Sequence, residues 1–233
     1  VQIVPVRRVD ATFHPGPWPW AEQNRGLIDE NWRRRRAEKP ALFNGIVLVN
    51  THLAFTGDLL EVRLRQTDYA SFLTMIDLGF PDAGVGNCFG GAVLRAGDGT
   101  ILLGEMGAHT ANAGRAYFPG GTLDMTDVRP DGQVDVDASI RRELLEETGL
   151  GEADVVFAED FIAVLDGGRT ALLKEARSPL SAEALRDRIN AFIAAEAEPE
   201  LAGVRLVRSL DDVDPAVMPA YVTGYLRQVA YAA

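Results

Sequence analysis

A chain of 233 residues with 47% hydrophobic and 24% charged side chains can bury a full core, which excludes a disordered polymer. Its net charge of −11 argues against long nucleic acid as a partner, but not against a small phosphorylated ligand whose charge a bound cation would neutralise. A single cysteine and three histidines exclude an intramolecular disulfide and speak against a structural zinc site, so Cys88 reads as a small buried hydrophobe. No run has the apolar length of a membrane span, and residues 1–8 lack the apolar core of a signal peptide. A cytoplasmic location is the default expectation, although the first residue is Val, not Met, and a trimmed targeting segment stays open.

In chain order, residues 26–39 predict a helix that Pro40 ends. Strands are expected at 46–50 and 59–64 and a second helix at 69–77. Residues 1–82 thus form an N-terminal α+β extension packed on a core of residues 83–233. From 89 to 95 and 101 to 105 the pattern is a hairpin around Gly97-Asp98-Gly99, leading to Tyr117 and the Phe118-Pro119-Gly120-Gly121 turn. A helix over residues 142–148 ends at Gly149, a C-terminal cap. Strands follow at 157–166 and 169–177. After them comes a helix from Ser181 to about Ala195 with Leu185, Ile189, Phe192 and Ile193 on one face. A strand at 204–207 and a helix at 219–230 close the chain.

The helix at 142–148 places Glu143, Glu146 and Glu147 at i, i+3 and i+4, on one face. Stacked like charges destabilise a helix by roughly 0.2–0.5 kcal/mol per pair unless a cation neutralises them. A solvated acidic face is the plain explanation. The glycine turn upstream and the cap at Gly149 point instead to a built site. Leu144 and Ile140 lie beside the acidic face and Leu145 roughly opposite, which predicts a helix held between layers.

Counted from Gly121, five residues precede Asp127, and Arg142 to Leu150 then read Arg-Glu-Leu-Leu-Glu-Glu-Thr-Gly-Leu. This resembles the box of the Nudix hydrolase family: Gly, five residues, Glu, seven residues, Arg-Glu-aliphatic-x-Glu-Glu-x-Gly-aliphatic. The second half matches at every specified position. The first half departs twice: Asp127 stands for Glu, and fourteen residues separate it from Arg142, an insertion of seven. The insertion contains Arg129-Pro130-Asp131-Gly132, a turn signal, and lengthening a loop costs little. Asp124, Asp135 and Asp137 compete with Asp127 for the family's acid position, and Asp137 would also serve as the helix N-cap.

The resemblance implies a Nudix-type α/β/α sandwich with a mixed sheet. It implies that Glu143, Glu146 and Glu147 coordinate Mg²⁺ or Mn²⁺, with the Gly121 carbonyl as a further ligand, and that Arg142 supports one of these glutamates. Hard divalent cations prefer oxygen donors, which agrees. Gly120, Gly121 and Arg115 are the candidate substrate contacts, since a guanidinium suits a phosphate. Family members often supply another glutamate from a late loop, as general base or metal ligand. In residues 196–200 the choice is Glu198, with Glu159 and Glu175 in reserve.

Trp32, Arg33 to Arg36, residues 40–45, Thr67, Tyr69 and Phe72 are similar to the leading segment of eukaryotic UDP-glucose-type Nudix hydrolases. Aromatic packing and a solvated basic helix face would also account for them. The expectation is metal-dependent hydrolysis of a nucleoside diphosphate linked to another moiety, of UDP-sugar type, giving two monophosphates. The alternatives are a coenzyme A or ADP-ribose diphosphatase, hinted at by Gly114, or a non-catalytic nucleotide-binding module. Asn112 and Arg115 stand where the coenzyme A branch has His and Gln, and no box glutamate is lost. The expected partner is a small diphosphate, with a homodimer left open.

Overall fold

Residues 1–231, the part that the computed structural model describes, form two sheets with helices between and outside them. The elements are β1 (Gln2–Val6), β2 (Arg8–Phe13), α1 (Pro19–Gln23), α2 (Arg25–Glu38), β3 (Ile46–Thr56), β4 (Leu59–Asp68), α3 (Tyr69–Asp77), β5 (Asn87–Arg95) and β6 (Ile101–Met106). Then follow β7 (Ala116–Tyr117), α4 (Val136–Thr148), β8 (Val156–Phe157), β9 (Phe161–Asp166), β10 (Arg169–Arg177), α5 (Ala182–Ala195), β11 (Leu201–Val207) and α6 (Ala220–Tyr225).

The larger sheet has the order β1-β9-β10-β5-β6-β11, with β7 beside β6 and β8 beside β10. It is mixed, because β10 and β5 run parallel while β9 and β10, and β5 and β6, run antiparallel. Strand residues alternate between its two faces. Ala92 and Leu94 of β5 pack with Ile140 and Leu144 of α4 and with Leu185 and Ile189 of α5. Val93, between them, packs on the opposite face with Val222 and Tyr225 of α6. This is the expected α/β/α layering.

The smaller sheet, β2-β4-β3, shares its inner face with the α4 side through Leu48, Leu60, Val62 and Leu64. Its outer side carries Val49, packed with Trp18 ahead of α1, Ile28 of α2, and Phe72 and Met75 of α3. The strand β1, although the first of residues 1–82, pairs with β9 in the larger sheet. Pro5 is tolerated there because β1 is an edge strand.

Several elements differ from their sequence reading. The helix α4 is capped by Asp135, whose side chain accepts from the Ala138 N–H at 3.0 Å, and not by Asp137. It ends at Gly149 with φ of 69°, a left-handed cap that a side chain would strain. Ile140 and Leu144 are buried but Leu145 is 50% exposed, so α4 is covered on one side only. The strand expected over 157–166 breaks at residues 158–160. The final helix is α-helical to Tyr225 and continues as a π-helical turn over Leu226–Ala230. No helix among the described residues is long and apolar enough to cross a membrane.

Candidate active site

The Gly120-Gly121 turn lies directly on β5. The Ala92 N–H donates to the Pro119 carbonyl at 2.7 Å, and the Gly90 N–H reaches the Gly121 carbonyl at 3.3 Å. A Cβ at Gly120 would sit 2.2 Å from the Gly90 carbonyl oxygen, and one at Gly121 would sit 2.6 Å from the carboxyl carbon of Glu143. Glycine is therefore required at Gly120 by its approach to backbone, while a side chain at Gly121 would displace the Glu143 carboxylate that rests on it.

Helix periodicity then separates the three box glutamates. Glu147 is buried at 6% exposure and Glu143 faces the same way, while the Glu146 side chain is 62% exposed. Buried Glu147 leaves its Oε2 without a hydrogen-bond partner. Burial, reinforced by Glu200 and Glu143, pushes its pKa well above the usual carboxylate range, and the Gly120 N–H offsets only part of this. Glu143 is also pushed up, chiefly by burial, against the opposing pull of Arg142.

Arg142 reaches three acids. It donates to Asp127 at 2.6 Å and to Glu143 at 3.2 Å, and stands 3.9 Å from Glu146. The Asp127 side chain is fully buried. Of the four competing aspartates, Asp127 is therefore the one that meets the box arginine. Asp124 caps the 3-10 turn Met125–Asp127, Asp135 caps α4, and Asp137 pairs with Arg141 at 2.6 Å and with Lys174. The inserted residues form a closed turn, with the Gly132 N–H bonded to Arg129 O at 2.9 Å. That turn docks on β2: Phe13 donates to Gly132 O at 2.8 Å and Val134 to Ala11 O at 2.7 Å.

Glu143, Glu147, Gly120 and Gly121 line a cavity of about 910 Å³, which Tyr69 and Phe72 of α3 also line. Arg115 also lines it, its guanidinium bonded to the Ala216 carbonyl at 3.3 Å. Glu198 and Glu200 are both exposed, but the one that lines this cavity is Glu200. The Gly107 N–H holds the Glu200 carbonyl at 2.8 Å at the start of β11, whereas Glu198 lies upstream in an exposed loop. Of the reserves, Glu159 is exposed and Glu175 is bonded to Arg95 at 3.1 Å.

Among the described residues, no three His, Cys, Asp or Glu side chains are gathered into a metal-binding cluster as they stand. Glu146 points outward and Arg142 engages Glu143. The donor chemistry nevertheless fits a hard divalent cation: every candidate ligand is an oxygen, and the orphaned Glu147 Oε2 is a buried carboxyl oxygen lacking a partner.

No family model matches this chain, and no curated protein does. Among solved structures it is similar to a Nudix hydrolase from Nitrosomonas europaea, at 18% identity over 60% of this chain and 84% of that one, with a TM-score of 0.40. It is similar also to the Nudix hydrolase RenU from M. smegmatis, at 18% identity over 61% and 83%, TM-score 0.39. A C. elegans Ap4A hydrolase matches at 16% identity over 60% and 93%, TM-score 0.40. Residues 121–150 resemble the box of the family that names two of these structures.

Proposed function

We propose that this protein is a metal-dependent Nudix pyrophosphohydrolase that cleaves a nucleoside diphosphate linked to another moiety, with a substrate of UDP-sugar type. The observation that carries the reading is Glu147, buried without a partner for Oε2 beside Glu143 and Glu200 on a cavity of about 910 Å³. Such an acidic pocket is costly unless a cation belongs there.

Glu143, Glu146 and Glu147 would hold Mg²⁺ or Mn²⁺, with the Gly121 carbonyl as a further oxygen. When bound, the cation supplies Lewis acidity toward the diphosphate oxygens. Glu200 accepts a proton from the attacking water as its oxygen bonds to one phosphorus and the bridging P–O bond breaks, which leaves two monophosphates. Arg142 is a positioning residue that fixes the Glu143 rotamer through its Asp127 anchor. Arg115 presents a guanidinium to the phosphates.

Support for the sugar nucleotide comes from the segment that resembles UDP-glucose-type relatives, since Tyr69 and Phe72 from it line the same cavity as the glutamates. The test is phosphate-product release with Mg²⁺, with and without chelator, across UDP-glucose, coenzyme A, ADP-ribose and a dinucleoside polyphosphate. Chelator-sensitive conversion of UDP-glucose to UMP and glucose 1-phosphate is expected. Cleavage of another member alone would replace the substrate assignment, and nucleotide binding without any cleavage would sink the catalytic one.

A further inference from the structure

On the same cavity, three polar side chains from three strands come together without any signature in the linear sequence. Arg169 on β10 is the register partner of Asn87 on β5 and also of Asp166 on β9, so an amide, a guanidinium and a carboxylate sit side by side at one sheet end. All three line the cavity. Asn87 is 7% exposed, and its Oδ1 has no hydrogen-bond partner. A buried amide oxygen left unpaired is a cost that a ligand donor would remove.

The surroundings hold this group in place. The Asn87 N–H donates to Gly168 O at 2.8 Å, which ties β5 to the β9–β10 hairpin. Phe80 adopts φ of 62°, a conformation rare for a bulky side chain, and its N–H bonds to Met75 O at 2.9 Å. That strain seats the ring on Gly168, where a Cβ would lie 2.2 Å from it, and beneath the Arg169 guanidinium at 5.0 Å.

We propose that Asn87, Asp166 and Arg169 form a subsite for the polyhydroxylated sugar of a sugar diphosphate. Along β5, Asn87 precedes Gly90 by three residues, about 10 Å of strand. Gly90 carries the glycine turn on which Glu143 rests. The trio lines the same cavity as that turn but is set apart from it along the strand, which leaves it to the moiety attached to the diphosphate. Its chemistry selects hydroxyls: Asp166 and the Asn87 oxygen accept while Arg169 donates, and each sugar hydroxyl can both donate and accept. A uracil ring in a nucleotide offers a single N–H on its pairing edge and would leave one acceptor unmet. This inference rests on the cavity being a diphosphate site.

The experiment compares UDP-glucose with a UDP methyl ester, which keeps base and diphosphate but lacks the sugar, in wild type, Asn87→Ala and Asp166→Asn. Each variant should raise KM for UDP-glucose roughly tenfold or more, the penalty of a lost hydrogen bond to a specific hydroxyl. KM for the methyl ester, kcat and the thermal midpoint should hold. Equal effects on both ligands, or none on either, would overturn the subsite. So would a change confined to the choice between UDP-glucose and ADP-glucose, which would place the nucleobase there. Calorimetric binding of the same ligands reads the sugar contribution even without turnover, so a protein that binds them differentially but cleaves neither defeats the catalytic reading and not the subsite.

Discussion

The two walls of the cavity are built on opposite electrostatic plans. On the α4 wall, Glu147 and Glu143 are buried among acids, with Oε2 of Glu147 unpaired and both carboxyls pushed toward protonation. On the N-terminal wall Arg35 is bonded to Asp77 at 2.8 Å, Asn31 bonds the same carboxylate at 2.9 Å, Lys39 donates to the Thr110 and Ala111 carbonyls, and Trp32, Tyr69 and Phe72 pack ring against ring. One wall is stable as it stands, and the other keeps a buried carboxyl oxygen without a partner. A protein tolerates the second kind of wall where function requires it.

The largest break in that contrast should come from Glu147→Gln, which keeps the shape and removes the charge. Turnover should be abolished, yet in chelator the thermal midpoint should hold or rise, because a neutral amide relieves repulsion from Glu143 and Glu200. Most buried substitutions lower stability, so the combination is diagnostic. Undiminished turnover would sink the metal assignment. Glu200→Gln comes next, with a loss of about 100-fold or more in kcat if Glu200 is the general base. Its control is Glu198→Gln, exposed and outside the cavity, for which kcat should be unchanged.

Arg142→Ala should act on stability and activity together. It strips the fully buried Asp127 of its 2.6 Å partner, at a cost of about 2 kcal/mol as read by urea denaturation. It also frees the Glu143 rotamer, for which a fall of roughly 10–100-fold in kcat is expected. Lys at this position should restore part of the stability and less of the rate, because an ammonium cannot hold Asp127 and Glu143 in the fixed fork of a guanidinium.

What was legible in the sequence was local. Three glutamates at helical spacing and a glycine cap belong to one helix, and the glycine turn to one loop, so spacing alone placed them. The insertion was legible as a turn, but its docking on β2 depends on a strand that the sequence hid, since Arg8 to Phe13 is short and interrupted by Asp10. Nothing in the loop of alternating acids at 196–200 marks where β11 begins, so the sequence does not show which of its glutamates lines the cavity. The Asn87, Asp166 and Arg169 group was invisible because its members meet only through strand register, with β5 and β10 parallel and 82 positions between Asn87 and Arg169 (169 − 87).

The self-satisfied wall gives the smallest and most conditional effect. Burial alone would raise the pKa of Asp77, but its bonds to Arg35 and Asn31 outweigh it and hold the carboxyl below the usual range. A carboxyl depressed on folding contributes stability that is present above its unfolded pKa, about 3.9, and is lost as pH falls through the folded value. Asp77→Asn should therefore be less stable than wild type at pH 7, with the gap closing below about pH 4, where wild type gives up the same ion pair. Urea denaturation at both pH values checks this. A gap that persists undiminished in acid would mean that Asp77 acts through packing and not charge, and the contrast between the two walls would then lose its electrostatic basis.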